Sequence, residues 1–160
     1  ISVEAWNRVL SVNVTGYFLC AQAFGQGMLA KGKGAIVQVA SIASRFPQGA
    51  SGAYSVSKTG VVMLSQQIAL EWGPQGVRSN VVSPGLVRTP MSEAFYRDNA
   101  VAERRANAVP LRRVAGPADI AEVVIYLASE RAGYVNGEDI CVDGGFGRTL
   151  MSTVPRPGFE

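Results

Sequence analysis

The chain has 160 residues, enough for one domain with one core, and its 48% hydrophobic and 17% charged residues give an ordinary globular balance. A net charge of +3 without any long Lys/Arg run excludes a nucleic-acid track, and Arg104-Arg105 and Arg112-Arg113 read as solvated loop pairs. The absence of histidine excludes a Ser-His-Asp triad and a His-ligated metal, so no metal is expected and any general acid or base is Tyr, Lys, Asp, Glu or Cys.

In chain order, residues 3–30 are predicted to form one long helix, with Trp6, Val9, Leu10, Val14, Tyr17, Phe18 and Ala21 at helical spacing. Ser2 is its N-cap candidate. Asn13 and Gly16 are unfavourable inside a helix and point to a polar role, close packing or a local distortion. Cys20 falls within the apolar pattern and Cys141 within a strand, and both are expected to be buried thiols rather than a disulfide.

Residues 35–40 are apolar and β-branched, the pattern of a buried parallel strand, and Ser41 follows at its carboxyl end. A loop with Pro47, Gly49 and Gly52 leads to a helix over 53–72. Residues 77–82 predict a second strand, in which Arg78 and Asn80 alternate with apolar neighbours, running into Ser83-Pro84-Gly85. The stretch 86–110 is the least regular. Thr89-Pro90 is suited to open a short helix with Thr89 as N-cap, and Met91, Phe95 and Tyr96 are equally suited to line a pocket or to form local core. A helix over 116–129 and a strand over 137–142 follow. Residues 146–160 have no periodicity and are expected to be an extended or disordered tail after a unit spanning 1–145. The succession of helices and strands is an α/β pattern.

Tyr54 and Lys58 lie four positions apart, so the predicted helix puts both side chains on one face. An ammonium beside a phenol favours the phenolate. Bringing a phenol from pH 10 to pH 7 takes about 4 kcal/mol, and one positive charge about 4 Å away supplies an amount of that order at an effective dielectric of 20. Ser55-x-x-Lys58 and Lys58-Thr59-Gly60 also fit fragments of a serine hydrolase signature, although both rest on the same lysine.

Several segments together resemble the short-chain dehydrogenase/reductase family. They are Trp6-Asn7 through Val12-Asn13-Val14-Thr15-Gly16, Ser41 thirteen residues before Tyr54, Tyr54-Ser55-Val56-Ser57-Lys58, Asn80 through Ser83-Pro84-Gly85-Leu86-Val87-Arg88-Thr89, Pro110 through Pro117-Ala118-Asp119, and Gly137 through Asp143-Gly144-Gly145. The resemblance implies a partial Rossmann-like doubly wound fold, keeping the last three strands of a seven-stranded sheet. It implies a catalytic tetrad of Asn13, Ser41, Tyr54 and Lys58, with Asn13 holding a water beside Lys58. It also implies NAD or NADP contacts from Tyr54, Lys58, Pro84, Gly85, Val87 and Thr89, and a secondary alcohol or ketone as substrate. Ser44 stands where many members carry glycine and is expected not to touch the tetrad.

The family's Gly-rich turn, which holds the pyrophosphate at a helix N-terminus, has no counterpart in the sequence. The chain is therefore read as a truncated carboxyl-terminal portion with impaired dinucleotide binding, and the strand over 35–40 as an exposed edge. The alternative is a catalytically inactive remnant acting as an oligomerising module. The helices over 3–30 and 53–72 correspond to the family's subunit interface, so a homo-oligomer is expected, with no nucleic-acid or membrane partner. No apolar run reaches the roughly 18 residues of a membrane span and no signal peptide is recognised, so a cytoplasmic location is expected.

Overall fold

The computed structural model describes residues 1–158. Three parallel strands, β1 (Gly34–Val39), β2 (Val77–Pro84) and β3 (Asp139–Val142), form one sheet in the order β1-β2-β3. Val37 stands opposite Asn80, and Val82 opposite Ile140. The α/β architecture and its parallel sheet follow the sequence pattern.

Alternation along β2 sends neighbouring residues to opposite faces, each covered by the helix of one crossover. Val81 meets Ala40 and Val61, the latter from α3 (Tyr54–Trp72), with Tyr17 and Val62 packed beside them. Val82 meets Leu127 of α5 (Pro117–Ala128) and Ala132, surrounded by Val37, Ile120, Val124 and Ile140. Both valines and Leu127 are essentially excluded from solvent, each burial contributing roughly 1.5–3 kcal/mol.

Arg78 and Asn80 do more than alternate with apolar residues. The Arg78 guanidinium donates to the carbonyls of Leu127, Ser129 and Val135 at 3.0–3.2 Å, closing the carboxyl end of α5. Asn80 is fully buried, donating to Val135 O at 2.8 Å and accepting from Glu138 N at 3.0 Å. These bonds carry the entry into β3. Just before β2, Gly76 has φ +78°, and a Cβ there would lie 2.1 Å from the Gly32 carbonyl oxygen. Glycine is required at this close crossing of two turns.

The single helix expected over 3–30 is two helices joined by a wider turn. Helix α1 (Val3–Leu10) passes through a π-helical turn (Ser11–Thr15) into α2 (Gly16–Lys31). Ser2 caps α1, its Oγ accepting from Ala5 N at 3.2 Å. The distortion spans Asn13 and ends just before Gly16, the two residues unfavourable to regular winding. Cys20 is exposed rather than buried. Helix α2 is apolar on all sides, but of its residues only Ala21 and Gly25 are buried.

A further helix, α4 (Asn99–Ala108), occupies the stretch read as irregular. Asp98 caps it, Oδ1 accepting from Ala100 N at 2.8 Å and Val101 N at 3.4 Å. Thr89 does not cap a helix. Its N–H donates to Ser92 Oγ at 2.9 Å within a turn that precedes a short 3₁₀ segment, Glu93–Tyr96. Of the three pocket candidates there, Tyr96 is buried while Met91 and Phe95 are exposed.

Arg104 and Arg105 belong to α4 rather than to a loop, and Arg113 forms a two-point ion pair with Asp119 at 2.6–2.7 Å. Arg113, followed by the Gly116 N–H, holds the Asp119 carboxyl down to about 2. The start of the expected tail forms two 3₁₀ turns, Phe146–Arg148 and Leu150–Thr153. Residues 159 and 160, the end of that tail, lie outside the described residues. No helix among the described residues is long and apolar enough to cross a membrane.

Candidate active site

Tyr54 opens α3, and Lys58 lies one turn further along, as their spacing requires. Lys58 turns inward and is 9% exposed. Its Nζ donates to Val39 O at 3.1 Å and lies 5.8 Å from the centroid of the Tyr54 ring. Burial pushes the Lys58 amine below its ordinary value. An ammonium close to the Tyr54 ring is therefore present, held by a main-chain acceptor rather than by a carboxylate.

That acceptor has a structural origin. Ala40 N–H donates to Val82 O at 2.9 Å, so the carbonyl of the preceding residue, Val39, points away from β2. It faces the side of β1 that has no strand partner among the described residues. Tyr17 supplies a second donor to it, its hydroxyl lying at 2.8 Å, and the Tyr17 ring sits 5.4 Å from Lys58 Nζ. Burial, and after it the neighbouring Tyr54, pushes the Tyr17 phenol up, which keeps it a proton donor. Sequence spacing identified Tyr17 only as part of an apolar helical face. Its place beside the lysine depends on the packing of α2 over β1.

Asn13 reaches the site through Ser57. Its Nδ2 donates to Ser57 Oγ at 3.0 Å, and Ser57 Oγ donates to Tyr54 O at 2.6 Å. Ser57 is fully buried. The asparagine thus braces the first turn of α3, on which Tyr54 stands. Ser55 Oγ lies 3.2 Å from Ser51 Oγ and accepts from Gln48 N at 3.4 Å. With Lys58 bonded to Val39, the structure records no Ser55–Lys58 hydrogen bond, and the hydrolase alternative gains no geometric support.

Ser41 follows β1 with extended backbone, φ −169° and ψ 155°. Its Oγ accepts from Ala43 N at 3.1 Å, and its carbonyl accepts from Ser44 Oγ at 2.7 Å. Ser44 was expected not to touch the tetrad, yet it fixes the backbone of Ser41. The Thr59 hydroxyl also donates to Ser44 O at 2.9 Å, tying this turn to α3.

A buried carboxylate joins the two walls of the site. Asp139 Oδ2 accepts from Arg45 Nε at 2.9 Å, on the Ser41 side. Its Oδ1 accepts from Ser83 Oγ at 2.5 Å, at the carboxyl end of β2. The Asp139 side chain is 5% exposed and that of Arg45 40%.

The turn implied to meet a nicotinamide leaves β2 at this end. Pro84 closes the strand, and Val87 forms an isolated parallel bridge with Ala115. A Cβ on Gly85 would lie 2.7 Å from Asp143 Cβ, so internal packing already demands glycine there. The nicotinamide half of a dinucleotide fits these residues. Lys58 spends one of its three donors on Val39, leaving two, and the turn sits beyond the carboxyl ends of the strands, where open α/β sheets bind ligands. Among the described residues no cluster of metal-ligating side chains is present.

A cleft of about 640 Å³ separates the Ser41 loop from α4 and is lined by Ser41, Phe46, Gly85, Leu86, Arg104 and Arg105, among others. A second groove, of about 550 Å³ and mostly apolar, lies between α2 and β1, with Tyr17, Cys20, Phe24 and Gln38 along it. The Gln38 amide is buried without a partner among the described residues.

A family model described as enoyl-(acyl carrier protein) reductase matches residues 1–147. D-threitol dehydrogenase of Mycolicibacterium smegmatis is 39% identical over 146 residues, covering 91% of this chain and 56% of the relative. A protein of Xanthobacter autotrophicus named inactive 2-(S)-hydroxypropyl-CoM dehydrogenase 2 is 42% identical over 147 residues, covering 89% of this chain and 64% of that one. The crystal structure of a gluconate 5-dehydrogenase from Burkholderia cenocepacia, in complex with NADP and tartrate, superposes with a TM-score of 0.88 at 28% identity, covering 94% of this chain and 59% of the other. The chain spans little more than half the length of most of these relatives. With the parallel sheet, the Tyr54–Lys58 turn and a match along nearly its whole length in agreement, the chain belongs to the short-chain dehydrogenase/reductase family.

Proposed function

We propose that this chain is the substrate-side portion of an NAD(P)-dependent oxidoreductase that interconverts a secondary alcohol and a ketone. The observation that carries the reading is the buried Lys58 ammonium, fixed to Val39 O and facing the Tyr54 ring. Tyr54 exchanges a proton with the substrate oxygen. Lys58 favours the charged form of that phenol through its own positive charge. Ser41, on a turn locked by Ser44 and Thr59, donates a hydrogen bond to the same substrate oxygen. Asn13 and Ser57 hold Tyr54 at the start of α3. A nicotinamide, when bound, would supply or accept the hydride, and Tyr54, Lys58, Pro84, Gly85, Val87 and Thr89 would hold its half of the dinucleotide.

The test has two arms. The 160-residue chain by itself is expected to show no micromolar affinity for NADH or NADPH in a fluorescence titration, because its sequence carries no pyrophosphate cradle. A form joined to a segment that bears the Gly-rich turn is expected to reduce NAD or NADP when offered secondary alcohols. Failure of that form to turn over any member of a broad alcohol and ketone panel would discard the reading.

A second reading, an oligomerising module, draws support from α3. Val56, Met63 and Leu70 recur every seven residues and are 51%, 61% and 73% exposed. Such a stripe fits packing against another helix. Homo-oligomerisation through α2 and α3 is compatible with catalysis and with its loss. Met63→Glu is expected to shift the protein to monomer in sedimentation velocity, with helical content unchanged. An oligomer that survives the substitution removes this face from the interface.

A further inference from the structure

The cleft between the Ser41 loop and α4 has an unbalanced charge. Arg104 and Arg105 line it, and no aspartate or glutamate does. Elsewhere arginines near carboxylates are paired: Arg45 with Asp139, Arg88 with Glu93 and Arg113 with Asp119. Neither Arg104 nor Arg105 forms an ion pair among the described residues. The Arg105 guanidinium lies 5.0 Å from the Tyr96 ring centroid and 5.3 Å from that of Phe95. Its Nε is buried and has no hydrogen-bond partner among the described residues.

A cation packed over two neighbouring rings holds its planar fork of donors in a restricted orientation, suited to two-point capture of an oxyanion. The other walls are largely apolar, with Phe46, Pro47, Leu86, Val101 and Phe146. Such surroundings strengthen a charge pair and leave a donor costly while it has no acceptor. Ser41, the residue assigned to the reacting oxygen, opens onto the same cleft.

We propose that this cleft binds a hydroxy compound, or the ketone formed from it, that carries an oxyanion group, with Arg105 as the anchor and Arg104 as a second contact. The assignment of the reacting oxygen rests on the oxidoreductase reading, whereas the anion contact does not. The shared chemistry is a carboxylate or a phosphate ester at one end and a secondary hydroxyl at the other.

Matched probes test it by ligand-observed NMR and calorimetry on the 160-residue chain. 3-Hydroxybutanoate is compared with 1,3-butanediol, and glycerol 3-phosphate with glycerol. At least one anion is expected to bind roughly tenfold or more tightly than its neutral twin, with the preference falling as salt rises. The pair that discriminates identifies the oxyanion. Arg105→Gln is expected to erase the preference, Arg104→Gln to weaken it, and Arg8→Gln, on α1, to leave it unchanged.

Because Arg105→Gln also removes ring contacts, a measurement on the unaltered chain stands beside it. The preferred anion is expected to protect Arg105 from phenylglyoxal modification, read by peptide mass spectrometry. Equal affinity within both probe pairs, or an anion preference that survives in a folded Arg105→Gln protein, overturns the proposal. So does modification of Arg105 at the same rate with and without anion. Anion preference without alcohol turnover in the joined form overturns the oxidoreductase reading and leaves the anion site standing. Turnover without anion preference does the reverse.

Discussion

Replacing Tyr54 with phenylalanine is expected to lower kcat by about 10²–10⁴-fold in a cofactor-competent form of the protein, the range that one general acid or base contributes. The substitution removes only the hydroxyl. The ring remains beside Lys58, and the contact that Ser57 makes is with the main-chain carbonyl of Tyr54, which phenylalanine also has. Thermal stability and the dissociation constant for the reduced dinucleotide should therefore change little. Initial rates and a cofactor titration on the same preparation separate the two effects. A rate equal to that of the unaltered protein removes Tyr54 from the mechanism. A large rise in the cofactor dissociation constant reassigns it to binding.

Lys58→Met is expected to lower turnover at least as strongly while making the fold more stable at neutral pH. Burial lowers the Lys58 pKa, so the folded chain binds this proton less tightly than the unfolded chain does. Below the folded pKa both states are protonated and the fold bears the whole cost of the buried charge. That cost is relieved as pH rises from the folded pKa toward the ordinary lysine value. Methionine removes the charge, and Val39 O keeps the Tyr17 hydroxyl at 2.8 Å as a donor. A gain of about 1 kcal/mol is expected at pH 7, shrinking at higher pH as the lysine form loses its own penalty. Urea unfolding at pH 7 and pH 10 provides the comparison. A loss of stability at pH 7 would mean that the bond to Val39 outweighs the burial of the charge, and Lys58 would then be a structural residue first.

The sheet and its main helices were legible because β-branched runs and helical spacing record burial directly. The Tyr54–Lys58 pair was legible for a similar reason, since an i, i+4 relation inside one helix needs no knowledge of the rest of the fold. Its acceptor was not. Val39 is an apolar strand residue in the sequence, and only the sheet decides which way its carbonyl points. Helix α4 escaped because it buries none of its residues outright, so it has no apolar stripe to find. What marks it is Asp98 followed by a run of alanine, glutamate and arginine, a signal of capping and propensity rather than periodicity. Cys20 was misplaced because a helix apolar on all sides reads as fully enclosed, whereas one side of α2 opens onto the groove beside β1. Asn13 was legible as an anomaly. Its partner, Ser57, lies 44 residues away and could not be read from spacing.

The π-helical turn at Ser11–Thr15 has a consequence for chain length. A π turn holds one more residue than an α turn, so α2 starts with its phase advanced by one position relative to an uninterrupted continuation of α1. Deleting one residue other than Asn13 within Ser11–Thr15 would restore even winding and leave the downstream face, Tyr17 included, close to its present direction. The widened turn that presents Asn13 would be gone, and its amide would leave Ser57. One brace of the site is then lost, although every residue named in it is still present. This segment can therefore accept a changed side chain at exposed Val12 far more readily than a changed number of residues. Its contribution to the site is written in the count of the chain as much as in its letters.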